Sequence, residues 1–587
     1  MRREFTWRST LLAALFAVAG LSILIQIVRI QNSPEAAVFR AQGDRYSGEF
    51  RTYYPARGEI FDRNGHLLAG NKTVYEIGVS LEEVKNPQTV AQAMSANLGV
   101  DYNQVLGTLT TPPEGLKYLV LADYVSAEQA AGLQKLKLEM DKIEGNWQGG
   151  TRPSLTGLEF HPHLMRSYPE GALGENVLGF VTREGRGYFG VEEKYNDLLA
   201  GTPVTVWVPE DPNRVEEMPQ VPDGTSLVLT IHRELQAEVE TILDDSISTY
   251  GAKSGTIVVM NPRTGEILAM ASTPRLDPNQ FWQYGNVYHN ASEFNRAVSM
   301  PYEPGSVFKI LTMAAGIDSG TVQPGTNFLD TGVILVGGVE IRNWNRDAWG
   351  MQNMVGCLQH SLNVCLAWVS TQMGPQNFYT YMQRFGIGHP TGVDVAGEAA
   401  GRLKVPGDTD WYAVDLGTNA FGQGVAVTPV QMLMAASALA NGGKMVTPHL
   451  LYGMVKNSQQ YNTSTQVAGT PISAQTAAVM TEMLALSLDQ ESSLALVPGY
   501  RVAGKTGTAQ IPTDKGYYDV GVTNASFIGW GPADDPQFMV YVWLEEPSTS
   551  IWGSETAAPV FAQVVERTVI LLNIPPDDIR LALVNGQ

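Results

Sequence analysis

An α+β fold in three parts is predicted: one N-terminal transmembrane helix, an extended mixed α/β domain, and a domain with a five-stranded antiparallel sheet flanked by helices. Three observations carry it. Residues 9–28 contain no charge, long enough for a helix to cross a bilayer. The apolar runs 255–260 and 266–272 flank Pro262-Arg263-Thr264-Gly265 and read as a hairpin. Three later strand-like runs, near 500–511, 523–530 and 537–545, precede a helix near 558–573 that can cover one sheet face. At 587 residues, 44% hydrophobic and 17% charged, the chain is globular and too long for one ordinary domain.

The elements follow in order. Residues 1–8 form a tail with Arg2, Arg3 and Arg8, which by the positive-inside rule stays in the cytoplasm and sends the rest outward. Ala17-Val18-Ala19 resembles a signal-peptidase site. The apolar run continues to Val28, however, which favours an uncleaved anchor over 9–28. A polar juxtamembrane segment, 29–56, leads to the extended domain, 57–224, which closes in a Pro-rich linker from Pro209 to Gly224. The last domain, 225–580, opens with a helix over Arg233–Tyr250.

Three short motifs in this domain supply the parts of an acyl-transfer site. In Ser306-Val307-Phe308-Lys309, a serine hydroxyl needs a base within reach to become a nucleophile. A helix beginning at about Ser306 puts positions i and i+3 on one face. The apolar residues after Lys309 predict a buried helix, where an ammonium is poorly solvated and its pKa falls toward the neutral amine a base must be. Alone, an exposed helix turn explains such a tetrad as well, but it occurs once in the chain. In Ser361-Leu362-Asn363, Ser361 can relay a proton to a leaving amine, and Asn363 can bind the Lys309 amine and a substrate amide. Ordinary loop or capping use is the competing reading, and Ser95-Ala96-Asn97 has the same pattern without partners. Lys505-Thr506-Gly507-Thr508 reads as an edge strand in which Gly507 permits close backbone approach. Lys505, Thr506 and Thr508 then face a carboxylate, and the backbone N–H groups of Ser306 and Thr508 form an oxyanion hole.

Taken together these motifs are the signature of penicillin-binding proteins and class A β-lactamases, and much of the chain resembles a class B penicillin-binding protein. Arg57-Gly58-Glu59-Ile60-Phe61-Asp62-Arg63-Asn64-Gly65, Arg166-Ser167-Tyr168-Pro169 with Gly171, and Gly190-Val191-Glu192 with Tyr195 resemble the three motifs of that family's pedestal, or dimerisation, domain. Phe421-Gly422-Gln423-Gly424, Thr428-Pro429-Val430-Gln431 and Ala558-Pro559-Val560-Phe561 match its transpeptidase domain.

The resemblance implies a cell-membrane peptidoglycan D,D-transpeptidase with its catalytic domain outside the cytoplasm. Ser306 acylates on a stem peptide, a neighbouring stem's amine resolves the ester, and β-lactams trap the serine. It implies no cofactor. A SEDS-type membrane glycosyltransferase and other division or elongation proteins are the implied partners, and the septal or elongation role stays open. A D,D-carboxypeptidase shares the acylation step. A β-lactamase of class A needs a glutamate in E-x-x-L-N, which does not occur between Ser361 and Lys505, and Tyr284-Gly285-Asn286 precedes the nucleophile, unlike the class D motif. A non-catalytic scaffold or β-lactam sensor is the alternative of another class.

The remaining signals are negative. A net charge of −20 makes a nucleic-acid surface improbable. Cys357 and Cys365 flank Ser361; on one straight helix they stand about 12 Å apart, too far to bond, so two buried thiols are expected, although a helix–loop–helix would permit a disulfide. His161-Pro162-His163 reads as a surface loop, not as a metal site.

Overall fold

The structure, a computed structural model, describes residues 2–38, 48–142, 152–209, 221–511 and 522–584. The chain forms two compact units. The first, Met1–Ala56 with Gly201–Asp223, holds helix α1 (Arg2–Gln31) and an antiparallel ribbon, Gly48–Tyr53 with Val204–Pro209. Within α1, Trp7–Gln31 is long and apolar enough to cross a membrane, with a mean hydropathy of 2.6. It runs past the expected 9–28 because helix formation tolerates the Arg8 and Arg29 charges that bound an apolar run. The expected linker lies largely outside the described residues, since 210–220 is not described.

In the second unit, Arg57–Ala200 with Gly224–Gln587, strand β1 (Leu67–Ser80) pairs with β2 (Tyr118–Ser126) and β3 (Leu158–Ser167). Ile77 and Val79 of β1 pack under helix α2 (Pro87–Leu98) through Val90 and Met94, and under α3 (Ala127–Asp141) through Ala130 and Leu133. His161 and His163 lie on β3, not on a loop as expected, because an extended chain accommodates Pro162 at a sheet edge. Each histidine has a carboxylate neighbour, Glu159 and Asp123. The sheet continues from β1 through Ile60–Phe61 to Ser226–Leu229 and Leu451–Lys456, so hydrogen bonds cross from the pedestal sequence into the C-terminal sequence.

The three pedestal motifs converge on one side chain. Glu192, fully buried, accepts from Arg57 Nε at 2.8 Å, Arg166 Nε at 2.6 Å and the Tyr168 hydroxyl at 3.3 Å. Arg166 also donates to the Gly58 carbonyl at 2.7 Å. The third motif is tied to the catalytic sequence through Tyr195, whose hydroxyl donates to Asp394 at 2.8 Å while Asp394 accepts from the Leu450 and Leu451 peptides.

The C-terminal portion begins with α4 (Arg233–Tyr250), whose Leu235, Val239, Ile242, Leu243 and Ser246 recur at helical spacing and are buried, and which stops at Gly251 with φ +58°. Strands β4 (Ser254–Met260) and β5 (Ile267–Ser272) form the expected hairpin. Helices α5 (Lys309–Asp318), α6 (Met354–Gln359), α7 (Asn363–Arg384) and α8 (Ala474–Glu491) follow, then β6 (Ala503–Gln510), β7 (Thr523–Gly531), β8 (Phe538–Glu545) and helix α9 (Ala557–Leu571). The five strands make one antiparallel sheet in the order β5-β4-β8-β7-β6, leaving β6 at an edge.

Both faces of this sheet are covered. Ile257, Val259, Val540 and Val542 pack with Leu235, Val239 and Phe561 of α4 and α9, whereas their neighbours Val258, Met260, Met539 and Tyr541 join the core around α5 and α7. That two-residue alternation between two cores explains why the strands read as continuous apolar runs.

Candidate active site

Gly305–Phe308 is a 3₁₀ turn and the α-helix α5 starts only at Lys309, later than expected. Side chains at i and i+3 eclipse in a 3₁₀ turn, which keeps Ser306 and Lys309 on one side of it, while among the described residues the hydrogen bonds of Lys309 Nζ go to Ser361 and Asn363. Gly305, at φ +58°, lets this turn lie against β6: a Cβ there would stand 2.9 Å from the Ala509 Cβ. Gly507 serves the same approach from the strand, since its Cβ would lie 2.9 Å from Val307 Cγ1 and 2.3 Å from Ser526 Oγ.

Lys309 is fully buried. Its Nζ contacts the Ser361 carbonyl at 2.6 Å, Ser361 Oγ at 3.1 Å and Asn363 Oδ1 at 2.8 Å. Burial holds its pKa well below the ordinary lysine value, and the charge of Lys505 adds to the effect. Two of the three contacts are to oxygens that only accept. They use the two N–H groups of a neutral amine and leave its lone pair for a hydroxyl.

Ser361 and Asn363 are placed by a break in the chain. Helix α6 ends at Gln359, Ser361 takes φ +53°, the Leu362 N–H returns to the Cys357 carbonyl at 3.0 Å, and α7 starts at Asn363. This turn brings the Cα atoms of Cys357 and Cys365 to 6.1 Å, and the two are joined in a disulfide. The expectation of two buried thiols is thereby corrected: the helix reverses where the motif sits, so the straight-helix spacing does not apply.

On β6, Thr506 and Thr508 line the cleft, and Lys505 does not. Successive residues of a strand point to opposite sides, so Lys505 leaves β6 on the face opposite to Thr506 and Thr508. Lys505, 4% exposed, reaches round the strand edge with Nζ at 3.1 Å from Thr506 Oγ1. Burial pushes its pKa down to about 8, partly countered by the charge of Glu491. Thr508 Oγ1 accepts from the Gly553 N–H at 3.0 Å, which pins the segment after β8 onto β6.

The cleft has a volume of about 300 Å³ and brings Ser306, Ser361, Asn363, Thr506 and Thr508 together. Asn97 and its neighbours lie on α2, and Tyr284-Gly285-Asn286 on a short helix, none of them among the cleft residues. Phe421 and Gln423 of the quoted Phe421-Gly422-Gln423-Gly424 segment do line it.

Sequence reasoning missed the other walls: Trp344, Trp349, Gln359 and His360 on the α6 side, Glu491 at the end of α8, and Trp552, Ser554 and Glu555 after β8. The indoles of Trp344 and Trp552 meet edge to face at 5.1 Å, and His360 stacks on Trp349 at 4.1 Å. Burial lowers the His360 pKa. Tryptophans in Asn343-Trp344-Asn345-Arg346-Asp347-Ala348-Trp349-Gly350, among turn-forming residues instead of an apolar run, were the available signal.

Among the described residues, Asp62, His66 and Glu234 bring ligand-type atoms within 4.8 Å of one another, away from this cleft. Asp62 is already engaged there by the N–H groups of Asn64, His66 and Arg233.

Comparison with known proteins agrees with this geometry. Residues 255–566 match the penicillin binding protein transpeptidase domain, and residues 52–214 the penicillin-binding protein dimerisation domain. The chain is similar to stage V sporulation protein D of Bacillus subtilis, at 32% identity over 89% of this chain and 79% of that protein. It is similar to peptidoglycan D,D-transpeptidase FtsI of Escherichia coli at 27% identity, over 97% and 93% of the two chains. Among solved structures, penicillin-binding protein 3 of Mycobacterium tuberculosis complexed with aztreonam superposes with a TM-score of 0.68 at 26% identity, covering 90% of this chain and 98% of that one. Penicillin binding protein 2X of Streptococcus thermophilus shares the fold, with a TM-score of 0.75 at 24% identity over 89% and 80% of the two chains.

Proposed function

Because the chain belongs to the class B penicillin-binding protein transpeptidases, we propose that Ser306 is the nucleophile of its peptidoglycan D,D-transpeptidase reaction and Lys309 the base. The observation that carries this is the buried Lys309 amine, one 3₁₀ turn beyond Ser306 and held by Ser361 and Asn363 at the cleft.

Ser306 Oγ attacks the carbonyl between the two terminal D-alanines of a stem peptide, giving its proton to the Lys309 lone pair. The oxyanion is met by the backbone N–H groups of Ser306 and Thr508, the latter on a strand whose outer edge has no neighbouring strand among the described residues. Thr506 and Thr508 bind the terminal carboxylate, with Lys505 supplying positive charge from behind Thr506. As the C–N bond breaks, the proton passes from Lys309 through Ser361 to the departing D-alanine. An amine of a second stem then attacks the ester; its N–C bond forms, the C–Oγ bond breaks, and a proton returns to Ser306. A β-lactam enters at the first step and stops there.

Helix α1 anchors the protein in the cell membrane, with Arg2, Arg3 and Arg8 keeping the N-terminus cytoplasmic and the cleft outside. The pedestal offers the surface through which a SEDS-type glycosyltransferase, and other division or elongation proteins, would be engaged. That reading rests on the family resemblance alone.

Labelling with a fluorescent penicillin, followed by tryptic mapping, tests the assignment. A stable adduct on the Ser306 peptide is expected, and Ser306→Ala should label at least about 10³-fold more slowly. Labelling of that variant at the wild-type rate would remove Ser306 from the mechanism.

A pH profile tests Lys505. With its pKa pushed down to about 8, the ammonium that attracts a carboxylate is present below that pH and lost above it. The second-order rate of acylation by benzylpenicillin should therefore fall as pH rises through this region. A rate still flat at about two units above that pKa would exclude Lys505 as the source of charge.

A further inference from the structure

Transpeptidation needs two peptides in one cleft, and the groups assigned so far handle only the first. The donor's carboxylate is met by Thr506 and Thr508 and its carbonyl by Ser306. The second substrate is an amine, cationic at neutral pH, and none of those groups attracts a cation.

The wall formed after β8 does. Glu555 lines the cleft, exposed, with Oε2 accepting from Ser550 Oγ at 2.6 Å and Oε1 without a hydrogen bond among the described residues. No basic side chain pairs with it among those residues, whereas Glu491, the other carboxylate of the cleft, lies within the electrostatic reach of Lys505. The same cleft is lined by the indole of Trp552 and, in edge-to-face contact with it, that of Trp344.

These positions are held rather than loose. The Glu555 N–H donates to the Trp552 carbonyl at 3.1 Å, Gly553 is bonded to Thr508, and Trp344 Nε1 donates to the His360 carbonyl at 3.2 Å. A cleft that is lined by both a carboxylate and indole rings can bind an ammonium by charge and by ring quadrupoles together. A purely apolar side chain would use the tryptophans and leave the carboxylate partly desolvated and unpaired.

We propose that Glu555, with Trp344 and Trp552, forms the acceptor subsite, which receives the ammonium-bearing side chain of the second stem peptide. This rests on the transpeptidase reading above. After binding, the ammonium loses one proton to water, and the free amine attacks the Ser306 ester as described.

The test is a competition for the acyl-enzyme. Full-length protein is acylated with a thioester analogue of the donor and offered Nα-acetyl-lysine amide, whose one charge is its side-chain ammonium, together with hydroxylamine, a neutral nucleophile. The ratio of the two products is read by mass spectrometry. Glu555→Gln should lower the amine-to-hydroxylamine ratio about tenfold, equivalent to about 1.4 kcal/mol. Trp344→Leu should lower it in the same direction, and Glu555→Asp should recover part of the loss. A ratio within about twofold of wild type in both Glu555→Gln and Trp344→Leu, with acylation intact, would overturn the subsite while leaving the transpeptidase reading standing. Failure of the wild-type protein to form any acyl-enzyme would overturn both.

Discussion

Replacing Lys309 by alanine is expected to slow acylation by penicillin by about 10²–10⁴-fold, the range lost when a positioned general base is removed. Lys309 is completely buried, and the acceptors around it are neutral: the Ser361 carbonyl, Ser361 Oγ and Asn363 Oδ1. Among the described residues no carboxylate compensates an ammonium there, and Lys505 opposes one. The amine is thus held in the state that can take a proton from Ser306, and alanine leaves no group to do so. The stopped-flow rate of fluorescent penicillin binding provides the measurement, and the thermal midpoint provides the control for folding. A rate within about tenfold of wild type, in a folded variant, would transfer the role of base to another group.

The second large effect is on stability and lies far from the cleft. Glu192→Gln should destabilise the protein by about 3–5 kcal/mol, the cost of leaving buried charge uncompensated. Glu192 is fully buried and the shared partner of Arg57 and Arg166, whose side chains are only 9% and 3% exposed. The amide keeps the shape of the carboxylate but leaves two guanidiniums without a counter-charge, and its NH₂ group faces donors. Urea unfolding monitored by tryptophan fluorescence would show the loss as a lower midpoint. A change below about 1 kcal/mol would mean that water or another carboxylate already neutralises the pair.

The two sites were legible to different degrees. The motifs proposed for acylation were readable because they are short and local: Ser306 and Lys309 are three residues apart, and β6 carries Lys505 to Thr508 on one strand. The pedestal motifs could be quoted as a resemblance, yet nothing in Arg57, Arg166 or Glu192 said that they meet. Their joining depends on contacts across 135 and 26 positions of chain. The disulfide was misjudged for a related reason. Its eight-residue separation is fixed by sequence, but whether that means about 12 Å along a helix or 6.1 Å across a turn depends on where α6 stops.

The sequence by itself determined the α+β class, the apolar N-terminal helix, the places of the five strands along the chain and the spacing of the Ser306–Lys309 motif. Each of these rests on periodicity or on spacing within a few residues, which the chain's own geometry converts into structure. Only the tertiary structure decided that Lys505 stands behind Thr506, that Glu192 joins three separate motifs, and that Glu555 lines the same cleft as Trp344 from more than two hundred residues away. Side-chain direction on a strand and the meeting of distant loops are set by how the two cores pack on either side of the sheet. Packing is a property of the whole chain, which no local pattern encodes.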